Sequence, residues 1–259
     1  MFGAYFYNKN IRNIVILFGT VFNDISVKRT DASDVVKEEI KVPIAYGPAE
    51  KFLVRLREVT DISKGKIGLT LPRMSFEFTA ITYDPTRKLV TGKQFKKAHA
   101  TDHTKLIRIF TPTPYNFDFN LSIMVKNSDD GTQILEQILP YFTPAYQVTM
   151  NELSTVGIKR DIPIVFTGLS TEDTYEGDYL TRRALIHTLT FTVQAFMYGP
   201  VDDIGIIKEV DVYKYDQTNQ ADLAAADRVK ASSTDIKPDP TTADADDDYG
   251  FTTTYTEGI

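Results

Sequence analysis

The chain of 259 residues contains no cysteine. Disulfides, thiolate ligands and thiolate nucleophiles are excluded, and the composition suits a protein made in a reducing cytoplasm. Tryptophan is absent and histidine occurs only three times. A membrane-spanning run is also lacking. The apolar stretch IVILFGTVF, Ile14 to Phe22, follows Lys9 and Arg12 and is succeeded by Asn23 and Asp24, with no small-residue cleavage site. It falls well short of the about 20 residues a bilayer requires. A soluble cytoplasmic product with no membrane partner is expected. At 42% hydrophobic and 25% charged, the chain can bury a core without metals or disulfides.

Catalytic signatures are equally scarce. There is no GxSxG and no Walker loop; GKIG at 65–68 lacks the GK[ST] ending and reads as a turn. The carboxylate pairs Asp129/Asp130 and Asp202/Asp203 sit at turns, where capping and solubility account for them. His99 and His103 stand four apart in HATDH around Asp102, the spacing of an inverted zinc-protease motif with Asp in place of Glu. Lys93, Lys96, Lys97, Lys105 and Arg108 surround them and oppose a cation, so a solvated loop or strand end is the preferred reading. His187 reads as a core histidine with one hydrogen bond. No enzyme activity, metal or cofactor is expected.

Charge is unevenly placed. The net charge is −6, and residues 235–259 hold seven acidic groups and one lysine, a net of −6, so the remaining chain sums to zero. A neutral body gives no general footprint for nucleic acid. Within it, Arg87 to Arg108 collects Arg87, Lys88, Lys93, Lys96, Lys97, Lys105 and Arg108 against Asp102. Phe95 is its one aromatic residue, which disfavours base stacking. A basic hairpin arm meeting an acidic protein is preferred over plain solvated surface or phosphate contact.

Periodicity supplies the elements. Ile11, Ile14, Val15, Phe18 and Phe22 recur at helical spacing, with Ile16, Leu17 and Val21 apolar on the other side. A helix apolar on two sides is deeply buried or shared with a partner, which makes Ile16 and Leu17 candidate contact residues. Residues 25–29 and 39–45 read as strands, and a helix follows Pro48. Two long strands alternate cleanly: Met74, Phe76, Phe78 and Ala80 on one side, then Tyr115, Phe117, Phe119, Leu121, Ile123 and Val125. Asp130 is expected to N-cap a helix with Gln133 completing a capping box, and Pro140 to stop it. A short strand at 162–169, a long one from Ala184 to Phe196 and one more at 204–213 follow. This order predicts an α+β fold, a mainly antiparallel or mixed sheet with helices packed on one face. From Asp216 onward, Asp, Ala, Thr and Pro dominate, and an acidic extension unable to order itself is expected over 216–259, after a domain spanning 1–215.

Five segments add a resemblance: MFGAYFYN at the start, EQILPYFTP at 136–144, KRDIPIV at 159–165, GDYLTRR at 177–183 and MYGPVDD at 197–203. In this order, across most of residues 1–205, the chain resembles the tail-completion and sheath-stabiliser (tail terminator) family of T-even-type contractile-tailed bacteriophages. Nothing beyond 215 takes part in the resemblance. It implies a structural virion protein at the head-proximal end of the tail, assembled in the host cytoplasm. Six copies would form a ring on the last tail-tube ring, hold the final tail sheath ring and face the neck or connector proteins. DNA would pass through the opening without being specifically bound. No catalytic residues come with the family. A ring needs two unlike faces per subunit. The charged pieces of these segments supply candidates: Lys159 and Arg160 of KRD, Arg182 and Arg183 of TRR, Asp202 and Asp203 of VDD, beside Lys93, Lys96 and Lys97 of the basic arm. Local intrachain ion pairs are the competing reading. Competing functions are another neck or baseplate ring adaptor, or a metal-dependent hydrolase using His99 and His103.

Overall fold

The computed structural model describes residues 5–30, 33, 35–57, 70–99, 101–102, 104–153, 156–174, 184–215, 230–243 and 247–257. The chain divides into two units, Met1–Leu89 with Pro112–Tyr198, and Val90–Thr111 with Gly199–Ile259.

In the first unit, α1 (Asn10–Val21) places Ile14 and Phe18 on its fully buried side, as the apolar spacing predicts. The hairpin of β1 (Ser26–Thr30) and β2 (Val36–Lys41) follows, then β3 (Ile44–Tyr46) and α2 (Ala49–Arg57). The remaining elements of this unit are β4 (Arg73–Tyr83), β7 (Thr113–Val125), α3 (Ser128–Ile138), β8 (Ala145–Leu153), β9 (Ile158–Thr174) and β10 (Ala184–Met197). Six of these strands form one sheet in the order β3-β4-β7-β10-β9-β8. Only β3 and β4 run parallel; the other neighbours are antiparallel. The α+β expectation holds.

Alternation along the strands sends Phe117, Phe119, Leu121, Ile123 and Val125 of β7 to the same face as Leu189, Phe191, Val193 and Ala195 of β10. α1 and α3 cover that face. The Phe18 ring stacks on Phe119, centroids 4.5 Å apart at 9°, and touches Phe22, Phe76 and Phe191 at 5.0–5.6 Å. Gly19 permits the approach: a Cβ there would stand 2.7 Å from the Phe76 ring.

The structure corrects several local expectations. The helices do not all share one face. Phe52 of α2 packs with Met124 and Ile186, directly paired residues that alternate with the inward ones, so α2 covers the opposite side. Asp130 is not the N-cap. α3 begins at Ser128 after Asn127, and Asp130 is buried in its first turn, ion-paired with Arg29 of β1 at 3.2 Å. Gln133 makes no capping box; its amide donates to Asp129 and its oxygen accepts from the Lys28 backbone. The short strand at 162–169 is the centre of the 17-residue β9, whose charged opening residues Lys159, Arg160 and Asp161 hid its alternation.

The second unit holds two three-stranded sheets. β5 (Gln94–Ala98) and β6 (Lys105–Phe110) form a hairpin that β11 (Val201–Gly205) joins, in the order β11-β6-β5. The other sheet runs β12 (Val210–Tyr215), β13 (Lys230–Asp239), β14 (Gly250–Glu257). These last two strands correct the expectation that nothing beyond Asp216 orders itself. Thr, Phe and Tyr in FTTTYT suit an extended strand. Every residue of β14 is exposed, so no hydrophobic pattern marks it in the sequence.

Candidate assembly surfaces and the polar tie beneath them

A β-bulge in β8 creates the most unusual side-chain position in the first unit. The pairing of β8 with β9 shifts between Asn151 and Leu153, and the extra residue, Glu152, turns inward to 1% exposure. A buried carboxylate needs a partner. Arg160 of β9 supplies it, Nε 3.2 Å from Glu152 Oε2. The Tyr198 hydroxyl donates to the same oxygen at 2.7 Å. Burial, then the Glu152 hydrogen bond, push the Tyr198 pKa up to about 12, so it remains a donor throughout the neutral range. Asn8 closes the cluster by donating to the Tyr198 carbonyl at 3.1 Å, and the Asn10 amide reaches the Glu152 carbonyl at 2.8 Å.

This tie gathers Asn8 of MFGAYFYN, Arg160 of KRD and Tyr198 of MYGPVDD. The spacing of these segments along the chain gives no hint that they meet. Glu152 was missed in the sequence because NEL resembles a polar loop; only a bulge reveals why it is buried. Phe196 lies beside two guanidinium groups, Arg160 at 4.2 Å and Arg87 at 5.3 Å from its centroid. Arg87 also donates to Asp84 at 2.7 Å and to Asn116 Oδ1 at 2.7 Å, and with Thr86 it holds the Asp84 carboxyl well below the usual range. Arg87 is thus committed within the first unit and is no part of a free basic arm.

The rest of that basic segment is a hairpin, as expected. Lys93, Lys96 and Lys97 are exposed on or beside β5. The Lys93 ammonium lies 5.7 Å from the Phe95 ring centroid. Register brings Asp202, Arg108 and Lys96 into one cross-strand row, with Asp202 and Arg108 paired at 3.2 Å. Asp203 is exposed and its field raises the Lys105 pKa, behind the larger effect of Asp102. Of HATDH, the described residues His99, Thr101 and Asp102 lie between β5 and β6 and are not helical. Asp102 accepts from Thr104 at 3.0 and 2.6 Å and from Lys105 at 3.0 Å, which lowers its pKa. The Thr101 amide faces His99 Nδ1 at 3.4 Å. His103 lies outside the described residues, and among those described no cluster of three His, Cys, Asp or Glu could hold a metal.

Elsewhere, Ile16 of α1 is exposed at 55%, whereas Leu17 is half-buried and packs against the core. Lys159 is exposed. Arg182 and Arg183 lie outside the described residues. His187 makes the single expected hydrogen bond, with Thr171 Oγ1 at 2.9 Å. Gly131 lets α3 approach it, since a Cβ there would meet His187 Nε2 at 2.7 Å.

The family described as T4-like virus Myoviridae tail sheath stabiliser matches residues 5–258. That match runs through β13 and β14, so the similarity does not stop at residue 215. The tail completion protein gp15 of Enterobacteria phage T4 is 35% identical over 216 residues, covering 80% of this chain and 77% of the relative. The chain belongs to the tail sheath stabiliser family of T4-like Myoviridae.

Proposed function

We propose that six copies of this chain close into a ring that ends the tail tube, stabilises the last sheath ring and joins the tail to the neck of the virion. The family match over residues 5–258 carries this reading. Exposed Ile16 and the lysines of the β5–β6 hairpin support it, because a ring subunit must offer surface to neighbours. Arg160 and Asp202 are engaged within the chain. Ile16, Lys93, Lys96, Lys97, Lys159 and Asp203 are exposed and stand as the contact residues, with sheath protein, tube protein and neck proteins as partners. DNA passes through the opening without specific contact, and the role is structural rather than enzymatic. Imaging of intact tails with this chain labelled tests the reading. Six-fold density at the head-proximal end is expected. A position at the baseplate, or another symmetry, would overturn it.

A further inference from the structure

We propose that Tyr5, Phe6 and Tyr7 of one copy seat in a groove of the next copy, at the far end of its α1, and so form the side-to-side contact of the ring; the inference rests on the ring reading above. Three exposed aromatic side chains precede α1: Tyr5 is 94%, Phe6 51% and Tyr7 58% exposed. Surface of this kind in a row calls for a partner. A groove of about 600 Å³ opens beside the C-terminal ends of α1 and α3, floored by Phe22, Ile138 and Phe142 and rimmed by Tyr141 and Tyr146. Tyr141 is 67% exposed there, and its ring stands edge-on to Tyr146 at 6.4 Å. Aromatic rings that meet edge to face or offset gain beyond their buried area.

Charge is complementary. Lys9 and Arg12 flank the aromatic segment and have no acidic partner among the described residues. Glu136 and Asp24 line the groove. Asp24 holds Lys41 at 2.8 Å, while Glu136 is exposed and without a cationic partner among the described residues.

Distance excludes the segment's own chain as the occupant, and the complementary, unlike faces then point to a second copy. Asn8 is pinned through its side chain to the Tyr198 carbonyl. The groove residue Phe22 lies beyond the whole of α1, about 18 Å along the helix axis at 1.5 Å per residue. From Asn8, even a fully extended chain carries the Tyr5 backbone only about 10 Å. The segment cannot fill the groove of its own chain. Segment and groove at opposite ends of one helix are unlike faces, the arrangement that repeats around a closed ring.

Because the chain has no cysteine, introduced thiols report without background. Phage carrying Phe6→Cys with Tyr141→Cys would be grown, their tails purified and oxidised, and the protein run without reductant. A ladder of covalent multimers ending at the ring size is expected, with no ladder from either single variant. Imaging of the same tails separates the two readings. A ring in place with no ladder, a bond within one chain, or a bond to a sheath or tube protein overturns the groove contact alone. Absence of any ring from wild-type tails overturns the ring reading and this inference with it. As a second arm, Glu136→Lys is expected to cut tail completion about tenfold, equivalent to about 1.4 kcal/mol per contact. Adding Lys9→Glu and Arg12→Glu is expected to restore it; no restoration counts against the contact.

Discussion

The two units of this chain solve the problem of a β-sheet in opposite ways. The six-stranded sheet of the first unit buries rings from α1, β4, β7 and β10 in one continuous aromatic core. In the second unit, the buried apolar side chains among the described residues come down to Ile107, Ile109, Pro238 and Ala243. Its strands are held by ladders and surface ion pairs, such as Lys237 with Glu209 at 2.6 Å. One cross-strand pair even sets like charges opposite each other, Asp211 and Asp235. A sheet with little core of its own draws stability from what it docks against. The first unit carries a core of its own, and the second, among its described residues, has little.

Mutations can break or sharpen that contrast. Phe119→Ala in the first unit removes the ring on which Phe18 stacks and is expected to cost about 3–5 kcal/mol in denaturant unfolding. Truncation of an exposed residue of β14 in the second unit should stay within about 0.5 kcal/mol. Arg160→Ala leaves Glu152 buried without its cation. Arg160 is partly exposed, so the cost is set at about 2 kcal/mol, below that for a fully buried pair. A double-mutant cycle with Tyr198→Phe is expected to show coupling.

Acid should act in opposite directions at two particular groups, one in each unit. Burial holds the His187 pKa below its ordinary value. The unfolded chain therefore takes up the proton first. The contribution of His187 is complete above about pH 6.5 and is lost as pH falls below it. Asp211, although exposed on β12, shifts the other way, raised by partial desolvation and then by Asp235 opposite it. Its penalty is complete when ionised and is relieved as pH falls toward the ordinary carboxylate range. Hydrogen exchange at pH 7.5 and 5.5 is expected to show weaker protection near His187 in acid, a change that His187→Gln flattens. Asp211→Asn should strengthen protection of β12 and β13 at neutral pH.

The smallest stability effects are expected where assembly matters most. Lys93→Glu, Lys96→Glu and Lys97→Glu together should move the unfolding midpoint little, since exposed substitutions stay within about 0.5 kcal/mol each. The same triple variant should yield tails that lose their sheath, scored by imaging. A large stability loss with normal tails would show that the hairpin is packed rather than presented.

The division between units also explains what the sequence could reveal. β4, β7 and β10 were legible because inward and outward residues differ in polarity along more than ten positions. α1 was legible through Ile14, Phe18 and Phe22. The opposite-face position of α2 was hidden because a single helix residue, Phe52, carries most of that contact. β14 was hidden because neither of its faces is buried. The glutamate tie was hidden for a different reason. A bulge shifts register by one residue, and no pattern of period two can show it in advance. The charged motifs were visible as charges, but pairing is three-dimensional: Asp202 meets Arg108 from 94 residues away.

The connections between the units have a mechanical meaning. The chain crosses between them after Leu89, after Thr111 and after Tyr198. These crossings leave from the end of β4, the start of β7 and the end of β10, which are neighbours in the sheet. Tyr83 pairs with Tyr115, and Met197 with Thr113, so all three exits lie at one edge of the ladder. A force applied at these three exits along the strands would be shared by three cross-bonded strands at once. No one strand can be peeled off alone. The load is met in shear by the longest ladders in the protein, with the glutamate tie clamping the third exit.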